Sequence, residues 1–426
     1  MKNGADVKHY RELIIIILLT VALRLPWLMM IPQAEAPDEN MHRWVINYIS
    51  ANCRLPDRQA LASSGLVSAY GSMPPFGYLP HIILLKLFPT DISAPDKQCL
   101  TRLGSLLMSL IVVTAAWWTG RRLFKGSYLA ALAVPLLIVF HPQFVFVSTY
   151  ANNDMTAAAL SSLILVNLIL TLDNGLSAMR IVSLAAFLSL LTLSKYSGLH
   201  LLVVTGLFLP ISAYLHKQKI YIWLRYGFAL IFLTALMTGW WFIRNYWQFD
   251  GDIIGVKTMN HLWLNVYHSY PGPPLTIQAV IFSSSFWRML FFSFWGWFGY
   301  MTHSLPRIIY YAYLFFVLLA GGLGINYWRS IKDIKTIQAL HWPWFLFATC
   351  IILNLFMCVY CCCAQVSGPQ GRYLFPSEIP IMSLLIAGLH CAEKKWSNKI
   401  ILSLLIFNFA AYCYSTYFLY QLYGQI

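Results

Sequence analysis

The residues best suited to chemistry lie in short polar motifs between long apolar stretches. The first motif, APDENMH at positions 36–42, places Asp38 beside Glu39 and puts His42 four residues after Asp38. If Pro37 starts a helix, Asp38 and His42 lie on one face of it. A carboxylate or an imidazole aimed at a hydroxyl can serve as a general base. Acidic residues also favour the first turn of a helix for structural reasons alone.

A third carboxylate, Asp154, ends the motif ANND at positions 151–154 and stands at the start of a predicted span. Asn and Asp are common helix N-caps, but a carboxylate at membrane depth is also a functional-site hypothesis. Together with Asp38 and Glu39 it can form an acidic cluster that binds a divalent metal or orients an acceptor. The sequence predicts no definite cofactor and leaves open Mg²⁺ or Mn²⁺ held by Asp38 and Asp154.

Three cations, Lys195, Arg244 and Arg372, lie near the ends of predicted spans. Long basic side chains at such places often do no more than extend toward the membrane surface. As a set without adjacent acidic residues, they also suit a phosphate or pyrophosphate, because a guanidinium matches phosphate oxygens and an ammonium supplies a point charge. Such groups stabilise a phosphate as it leaves.

The elements that must position these residues are membrane spans. The chain of 426 residues is 59% hydrophobic and 10% charged, whereas soluble domains are about 25% charged. Because a helical span needs about 20 mostly apolar residues, the sequence predicts an all-α, polytopic transmembrane bundle of about 11 spans in a single domain, 1–426. The predicted spans are roughly 12–31, 103–120, 127–143, 154–172, 180–197, 198–215, 224–243, 305–327, 342–363, 376–391 and 399–420.

The distribution of charge predicts the orientation of this bundle. With the N-terminus in the cytoplasm, more than half of the 29 Lys and Arg residues fall in short cytoplasmic segments, as the positive-inside rule expects. Two long segments, 32–102 and 244–304, then face outward with the polar motifs, and the apolar stretch 76–89 within the first forms a short re-entrant or surface helix. The net charge of +14 therefore reflects membrane orientation and not a nucleic-acid partner. The predicted location is the bacterial inner membrane, and an endomembrane stays open.

Cysteine usage gives one further expectation. Cys53 and Cys99 both fall in segment 32–102, so they are candidates for a disulfide if that side is oxidising. The cysteines at 361–363 end an apolar span without the spacing of metal ligands. No Walker loop, dinucleotide-binding glycine motif or HExxH zinc motif occurs in the sequence.

These motifs, in this order, make the chain resemble the C-type membrane glycosyltransferases (GT-C). That superfamily includes protein O-mannosyltransferases and the bacterial aminoarabinose transferase of lipid A, and the greatest likeness is to a group of poorly characterised bacterial membrane proteins. The motifs that carry the resemblance are Pro37-Asp38-Glu39 with His42, Pro74-Pro75 before a short helix, Asn153-Asp154, Lys195, Gly239-Trp240-Trp241 to Arg244-Asn245, and Gln370-Gly371-Arg372-Tyr373.

The resemblance implies inverting transfer of a sugar from a polyprenyl-phosphate donor to a glycolipid, polysaccharide or protein acceptor. It implies Asp38 as the base, with Glu39 the second choice and His42 close by, and Asp154 supporting the acceptor or a metal. The donor phosphate would be held by Arg244 and Arg372, with Lys195 and Tyr373 contributing. The supporting residues would be Asn153, Asn245 and Gln370. Some relatives carry a basic residue where this chain has Met73, so its phosphate contacts must come from elsewhere.

Two other classes of function compete with this interpretation. A lipid or small-molecule transporter or flippase commonly has repeats, broken helices and ionisable residues near the midplane, whereas here the polar residues gather at one side. A membrane scaffold or receptor without catalysis would leave the paired carboxylates and the outward cations without a role.

Overall fold

The computed structural model describes residues 2–33, 35–88, 93–268, 274–330, 342–364 and 368–424. Most of them are helical. The first half contains α1 (Lys2–Met30), α2 (Glu39–Asn52), α3 (Arg58–Ser64), α4 (Leu79–Leu87), α5 (Ala94–Leu123), α6 (Tyr128–Val139), α7 (Pro142–Val147), α8 (Asp154–Asn174), α9 (Ala178–Thr192) and α10 (His200–Leu215).

The second half continues with α11 (Ile220–Gln248), α12 (Val256–Leu264), α13 (Ile277–Ile281), α14 (Ser284–Gly296), α15 (Arg307–Ser330), α16 (Trp342–Cys363), α17 (Glu378–His390) and α18 (Lys394–Tyr423). Single 3₁₀ turns cover Gly65–Ser72, Phe76–Tyr78, Tyr196–Gly198 and Gly371–Ser377. The strands β1 (Trp297–Phe298) and β2 (His303–Ser304) form one small antiparallel hairpin.

The prediction of a helical membrane bundle is confirmed. Within the described residues, nine helices are long and apolar enough to cross a membrane. They are Tyr10–Met30, Pro95–Leu123, Asp154–Asn174, Tyr196–Leu215, Ile220–Gln248, Arg307–Ser330, Trp342–Cys363, Gly371–His390 and Lys394–Tyr423. Each coincides with one of the predicted spans.

The two remaining predicted spans, 127–143 and 180–197, are helical but shorter than expected. α6 has 12 residues and α9 has 15, which correspond to about 18 and 22 Å at 1.5 Å per residue. The hydrocarbon core is about 30 Å thick. Both helices stop early because the sequence turns polar there, at His141-Pro142 after α6 and at Ser194-Lys195 after α9. The break after α9 brings Lys195 into the bundle.

The short α6 also accounts for a fully buried arginine in α1. Arg24 Nε donates to Ser148 Oγ at 2.9 Å, and Nη1 donates to the carbonyl of Val139 at 3.5 Å. Val139 is the last residue of α6. Because a helix C-terminus carries partial negative charge and unpaired carbonyls, a guanidinium placed there compensates for the early end of α6.

Short helices occupy the first predicted outward segment, as expected. They are α2, α3 and α4 with the intervening 3₁₀ turns. One detail of the prediction is wrong: the helix begins at Glu39 and not at Pro37. Asp38 precedes it in the left-handed region, with φ of 60°. This conformation is accessible to Asp more readily than to bulkier residues, and it takes the Asp38 side chain out of the helix.

The two long predicted outward segments pack against each other. α12 contacts the turn Gly65–Ser72, and Ser72 Oγ donates to the carbonyl of Gly255 at 2.8 Å. Gly255 has φ of 77°, and a Cβ there would overlap the Ser72 carbonyl, so this approach requires glycine. Asn245 at the end of α11 donates from Nδ2 to the same Ser72 carbonyl at 3.3 Å.

The candidate disulfide between Cys53 and Cys99 does not form in this structure, where both thiols are free. Lys86 Nζ donates to Cys53 Sγ at 2.9 Å. The thiol of Cys53 is therefore exposed beside a cation and not joined to Cys99.

Candidate active site

A buried cluster of two carboxylates and two cations lies where several chain segments meet. Asp38 comes from the loop before α2, and Asp154 is the first residue of α8. Lys195 lies between α9 and the turn Tyr196–Gly198, and Arg372 lies in the turn Gly371–Ser377. These four residues were among the sequence-predicted site residues, and the fold brings them together from positions more than 300 residues apart in the chain.

Arg372 links the two carboxylates. Its Nη2 donates to Asp38 Oδ2 at 2.9 Å, and its Nη1 lies 3.9 Å from Asp154 Oδ2. Nη1 also donates to the hydroxyl of Tyr150 at 3.2 Å. The Tyr70 hydroxyl donates a second hydrogen bond to Asp38 Oδ2 at 3.2 Å. Asp38 Oδ2 is thus held from two directions, while Oδ1 accepts no hydrogen bond from the described part of the chain.

Lys195 pairs with the second carboxylate. Its Nζ donates to Asp154 Oδ1 at 2.6 Å and to Asn153 Oδ1 at 3.1 Å. The ammonium also lies 5.4 Å from the centre of the Tyr373 ring. Burial lowers the pKa of Lys195, and Asp154 opposes that shift. The start of α8 further favours a carboxylate at Asp154 because the N-terminus of a helix carries partial positive charge.

His42 lies beside this cluster as a neutral imidazole. Its ring stacks on Tyr70 with centroids 4.6 Å apart, and Nδ1 shares a hydrogen bond of 2.8 Å with the Tyr78 hydroxyl. Burial holds the pKa of His42 well below its usual range, and the positive charge of Lys195 lowers it further. At neutral pH His42 can therefore donate or accept one hydrogen bond, but it adds no charge.

A cavity of about 760 Å³ opens from the cluster into the bundle. Its walls are largely apolar and come from α9, α10, α11 and α16, with Leu202, Ile231, Ala235 and Met357 among them. Polar side chains gather at one end, where His42, Tyr70, Lys195, Arg372 and Tyr373 line it. A volume of this size is typical of a ligand site, and the arrangement suits a molecule with an apolar tail and an anionic head.

Glu39, the second choice for a base, forms an ion pair with Arg102 outside the charged cluster. Both of its carboxylate oxygens accept hydrogen bonds from Arg102, at 2.7 and 2.6 Å, and both side chains are fully buried. Arg102 also donates to the carbonyls of Leu28 and Ile31 at the end of α1. The pair fastens the start of α2 to the end of α1, directly next to Asp38.

Arg244 and Asn245 do not join the cluster. Arg244 donates to Asn245 Oδ1 at 2.9 Å and to the carbonyl of Pro56, and it lies over the rings of Trp241 and Phe249. Its contacts connect α11 to the first long segment. Its predicted role as a ligand of the donor phosphate is therefore not supported by its position.

The turn that carries Arg372 is anchored on α14. A Cβ at Gly371 would overlap the backbone of Phe294, and the Gly371 N–H donates to Ser293 Oγ at 2.8 Å. At the other end of the turn, Glu378 Oε1 lies 2.7 Å from His141 Nδ1. Gln370 immediately precedes the turn and lines a small cleft beside Arg372. These contacts fix where the guanidinium of Arg372 lies.

The acidic pair does not fit a metal site. Within the described residues, no group of three or more His, Cys, Asp or Glu side chains is placed to hold an ion. The charges of Asp38 and Asp154 are already balanced by Arg372 and Lys195. A divalent cation here would have to displace a guanidinium or an ammonium.

Several residues of the site had no clear signal in the sequence. Tyr70 and Tyr150 are hydrogen-bonded to the charged cluster and Tyr78 to His42, but tyrosines are common throughout this chain. Glu378 could have been found, because it is a carboxylate inside a predicted span and such residues usually have a partner in the bundle. Its partner, His141, could be known only from the fold.

The described residues form a helical membrane bundle whose fold is similar to that of a GT-C glycosyltransferase of known structure. One solved structure with this fold is that of ArnT from Cupriavidus metallidurans in the apo state, a GT-C aminoarabinose transferase. The similarity has a TM-score of 0.53 at 17% sequence identity and covers 91% of this chain. The chain spans 62% of the length of ArnT. No protein-family profile and no curated protein sequence matches the chain.

Proposed function

We propose that this protein transfers a sugar from a polyprenyl-phosphate donor to an acceptor hydroxyl, with inversion, and that Asp38 is the general base. The observation that carries the proposal is the position of Lys195 and Arg372 at the polar end of a 760 Å³ apolar cavity, with Asp38 held against Arg372. The GT-C architecture agrees with it. The acceptor would be a glycolipid, a polysaccharide or a protein.

The cavity supports a lipid donor. A prenyl chain would lie along the apolar walls formed by α10, α11 and α16, and its phosphate would reach the polar end. There each terminal nitrogen of Arg372 carries a second N–H besides the one donated to Tyr150 or Asp38, and Lys195 uses only two of its three donors in the hydrogen bonds described above. A phosphate oxygen would satisfy these groups by charge-assisted hydrogen bonds. Tyr373, which packs against both cations, would shield them from water.

The chemistry follows from this placement. The acceptor oxygen attacks the anomeric carbon while its proton passes to Asp38, and the bond between that carbon and the phosphate oxygen breaks. The electron pair leaves with the polyprenyl phosphate, whose added negative charge is stabilised by Lys195 and Arg372. Asp154, supported by Asn153, would keep Lys195 in place. His42 and Tyr70 would contact the sugar at the polar end of the cavity.

The predicted orientation puts this site on the outer face of a bacterial inner membrane. That placement suits a lipid-linked donor, because such a donor carries its activated sugar on the lipid and needs no nucleotide pocket.

The test is a transfer assay with purified protein in detergent or liposomes. Radiolabelled sugar on polyprenyl phosphate is offered with a membrane glycolipid extract as the acceptor. We expect wild type to form a labelled product and Asp38→Asn to form none, because Asn cannot take the proton. Because Asp38→Asn removes the carboxylate that pairs with Arg372, thermal melts of both proteins check that the variant is folded at the assay temperature.

Asp250→Asn is the matched control, since Asp250 is an exposed carboxylate that forms an ion pair with exposed Arg58. It should transfer at the wild-type rate. Full activity of Asp38→Asn would refute its role as base. Lipid flux in proteoliposomes without any sugar-transfer product would favour a transporter instead.

A further inference from the structure

A second, much smaller cleft adjoins the charged cluster and shares Arg372 with the large cavity. Its volume is about 10 Å³, which is at the lower limit for holding one water or hydroxyl oxygen. Its lining includes Pro37, Gln143, Tyr150, Trp297, Met301 and Gln370. It therefore lies next to Asp38 and is built from residues that the large cavity does not use.

Two hydrogen-bond donors at this cleft lack partners. Arg372 Nε and Trp297 Nε1 are both buried without a hydrogen bond within the part of the chain that the structure describes. Leaving a buried donor unpaired costs about 1–3 kcal/mol. A ligand oxygen in this space would give these donors a hydrogen-bond acceptor.

The hairpin β1–β2 forms one side of the cleft and lies beside Asp38. Gly299 and Met301 in its turn both have φ of 60°, and the hydroxyl of Tyr300 between them lies close to the backbone of Asp38. The base of the hairpin is fixed, because the backbone N–H of Trp297 donates to Gln143 Oε1 at 2.7 Å. The hairpin therefore lies next to the residue proposed as the base.

We propose that this cleft is the acceptor site and that it takes a neutral sugar hydroxyl, which approaches Asp38 past the β1–β2 hairpin while the donor lies in the large cavity. This inference rests on the proposed function. Asp38 Oδ1 is the oxygen left for the acceptor, because Oδ2 is held by Arg372 and Tyr70. The acceptor O–H gives its proton to Oδ1 and its oxygen bonds to the anomeric carbon, as the phosphate leaves.

The side chains that line the small cleft favour a neutral acceptor. Apart from Arg372, the residues around the cleft are uncharged, and two of them are glutamines. Arg372 already pairs with Asp38 and, in the proposed function, binds the donor phosphate, so the lining residues offer a phosphorylated acceptor no second cation. Amide groups suit hydroxyls because an amide both donates and accepts hydrogen bonds.

The experiment compares two variants that each fill one space. Met301→Trp obstructs the cleft and Ala235→Trp obstructs the large cavity. In the transfer assay, Met301→Trp should raise the KM for the glycolipid extract at least tenfold and leave the KM for the lipid donor unchanged. Ala235→Trp should do the reverse. A Met301→Trp variant that changes only the donor KM, or neither KM, overturns the proposal.

A second readout does not depend on transfer or on folding of a variant. Wild-type protein is irradiated with a photoreactive octyl glucoside, and the labelled peptides are identified by mass spectrometry. Labelling of the hairpin at 297–304 or of residues 368–371, reduced by excess octyl glucoside and not by octyl glucoside 6-phosphate, supports the cleft. Labelling confined to the large cavity overturns it. If wild type binds the glucoside at the cleft but transfers nothing, the proposed function fails while the glycoside site stands.

Discussion

Replacement of Arg372 by lysine keeps the positive charge of the candidate site but removes its geometry. The guanidinium contacts Asp38 at 2.9 Å and Tyr150 at 3.2 Å, and it lies 3.9 Å from Asp154. A lysine ammonium is a single point of charge on a flexible chain. It can reach one of these groups but cannot hold all three, so at least one charged hydrogen bond is lost.

The size of the effect follows from that loss. A hydrogen bond to a charged group contributes about 1.5–3 kcal/mol. If the contact positions Asp38 and the phosphate in the transition state, kcat/KM should fall roughly 10- to 150-fold, since about 1.4 kcal/mol corresponds to a factor of ten. The thermal midpoint should change little by comparison, because the buried carboxylates still face a cation.

The assay is the transfer of radiolabelled sugar from polyprenyl phosphate, with the initial rate measured against donor concentration. Arg58→Lys is the matched control, because Arg58 forms an exposed ion pair with Asp250 and such pairs contribute about 0–1 kcal/mol. It should leave kcat/KM unchanged. An Arg372→Lys enzyme with kcat/KM within about threefold of wild type would refute the idea that the forked geometry matters.

Three further predictions concern the surroundings of the site. Glu39→Gln should destabilise the protein by about 3–5 kcal/mol, because it leaves Arg102 buried without its partner. If the variant melts at the wild-type temperature but no longer transfers sugar, Glu39 would instead be a reacting group. The pKa of His42 lies well below its usual range, so the unfolded chain binds a proton that the native state does not, and stability should fall as pH drops below about 6.5. His42→Gln should therefore lose less stability than wild type between pH 7 and 5. The same drop in melting temperature for both proteins across that range would contradict this. Cys53 is exposed with a free thiol, so a variant retaining Cys53 alone should react with a membrane-impermeant maleimide in intact cells, whereas reaction only after the cells are opened would reverse the predicted orientation.

The members of the charged cluster could be predicted from the sequence, but so could residues that lie outside it. Asp38, Asp154, Lys195 and Arg372 could be selected because each is an ionisable residue beside an apolar span, where an isolated charge is costly. The same reasoning selected Arg244 and Glu39, which have equally polar motifs around them. Local sequence could not separate the two sets, because the distinction depends on partners that lie far away in the chain: Pro56 for Arg244 and Arg102 for Glu39.

The sequence by itself determined the helical membrane architecture, because apolar length and low charge leave a chain few alternatives in a bilayer. It also determined which positions carry ionisable groups. Only the tertiary structure decided which of those groups meet, since contact between residues 38 and 372 depends on how the helices pack. Packing likewise decided that a large apolar cavity opens beside the cluster and that the hairpin lies beside Asp38. Side-chain packing across many segments sets these features, and no single segment encodes them.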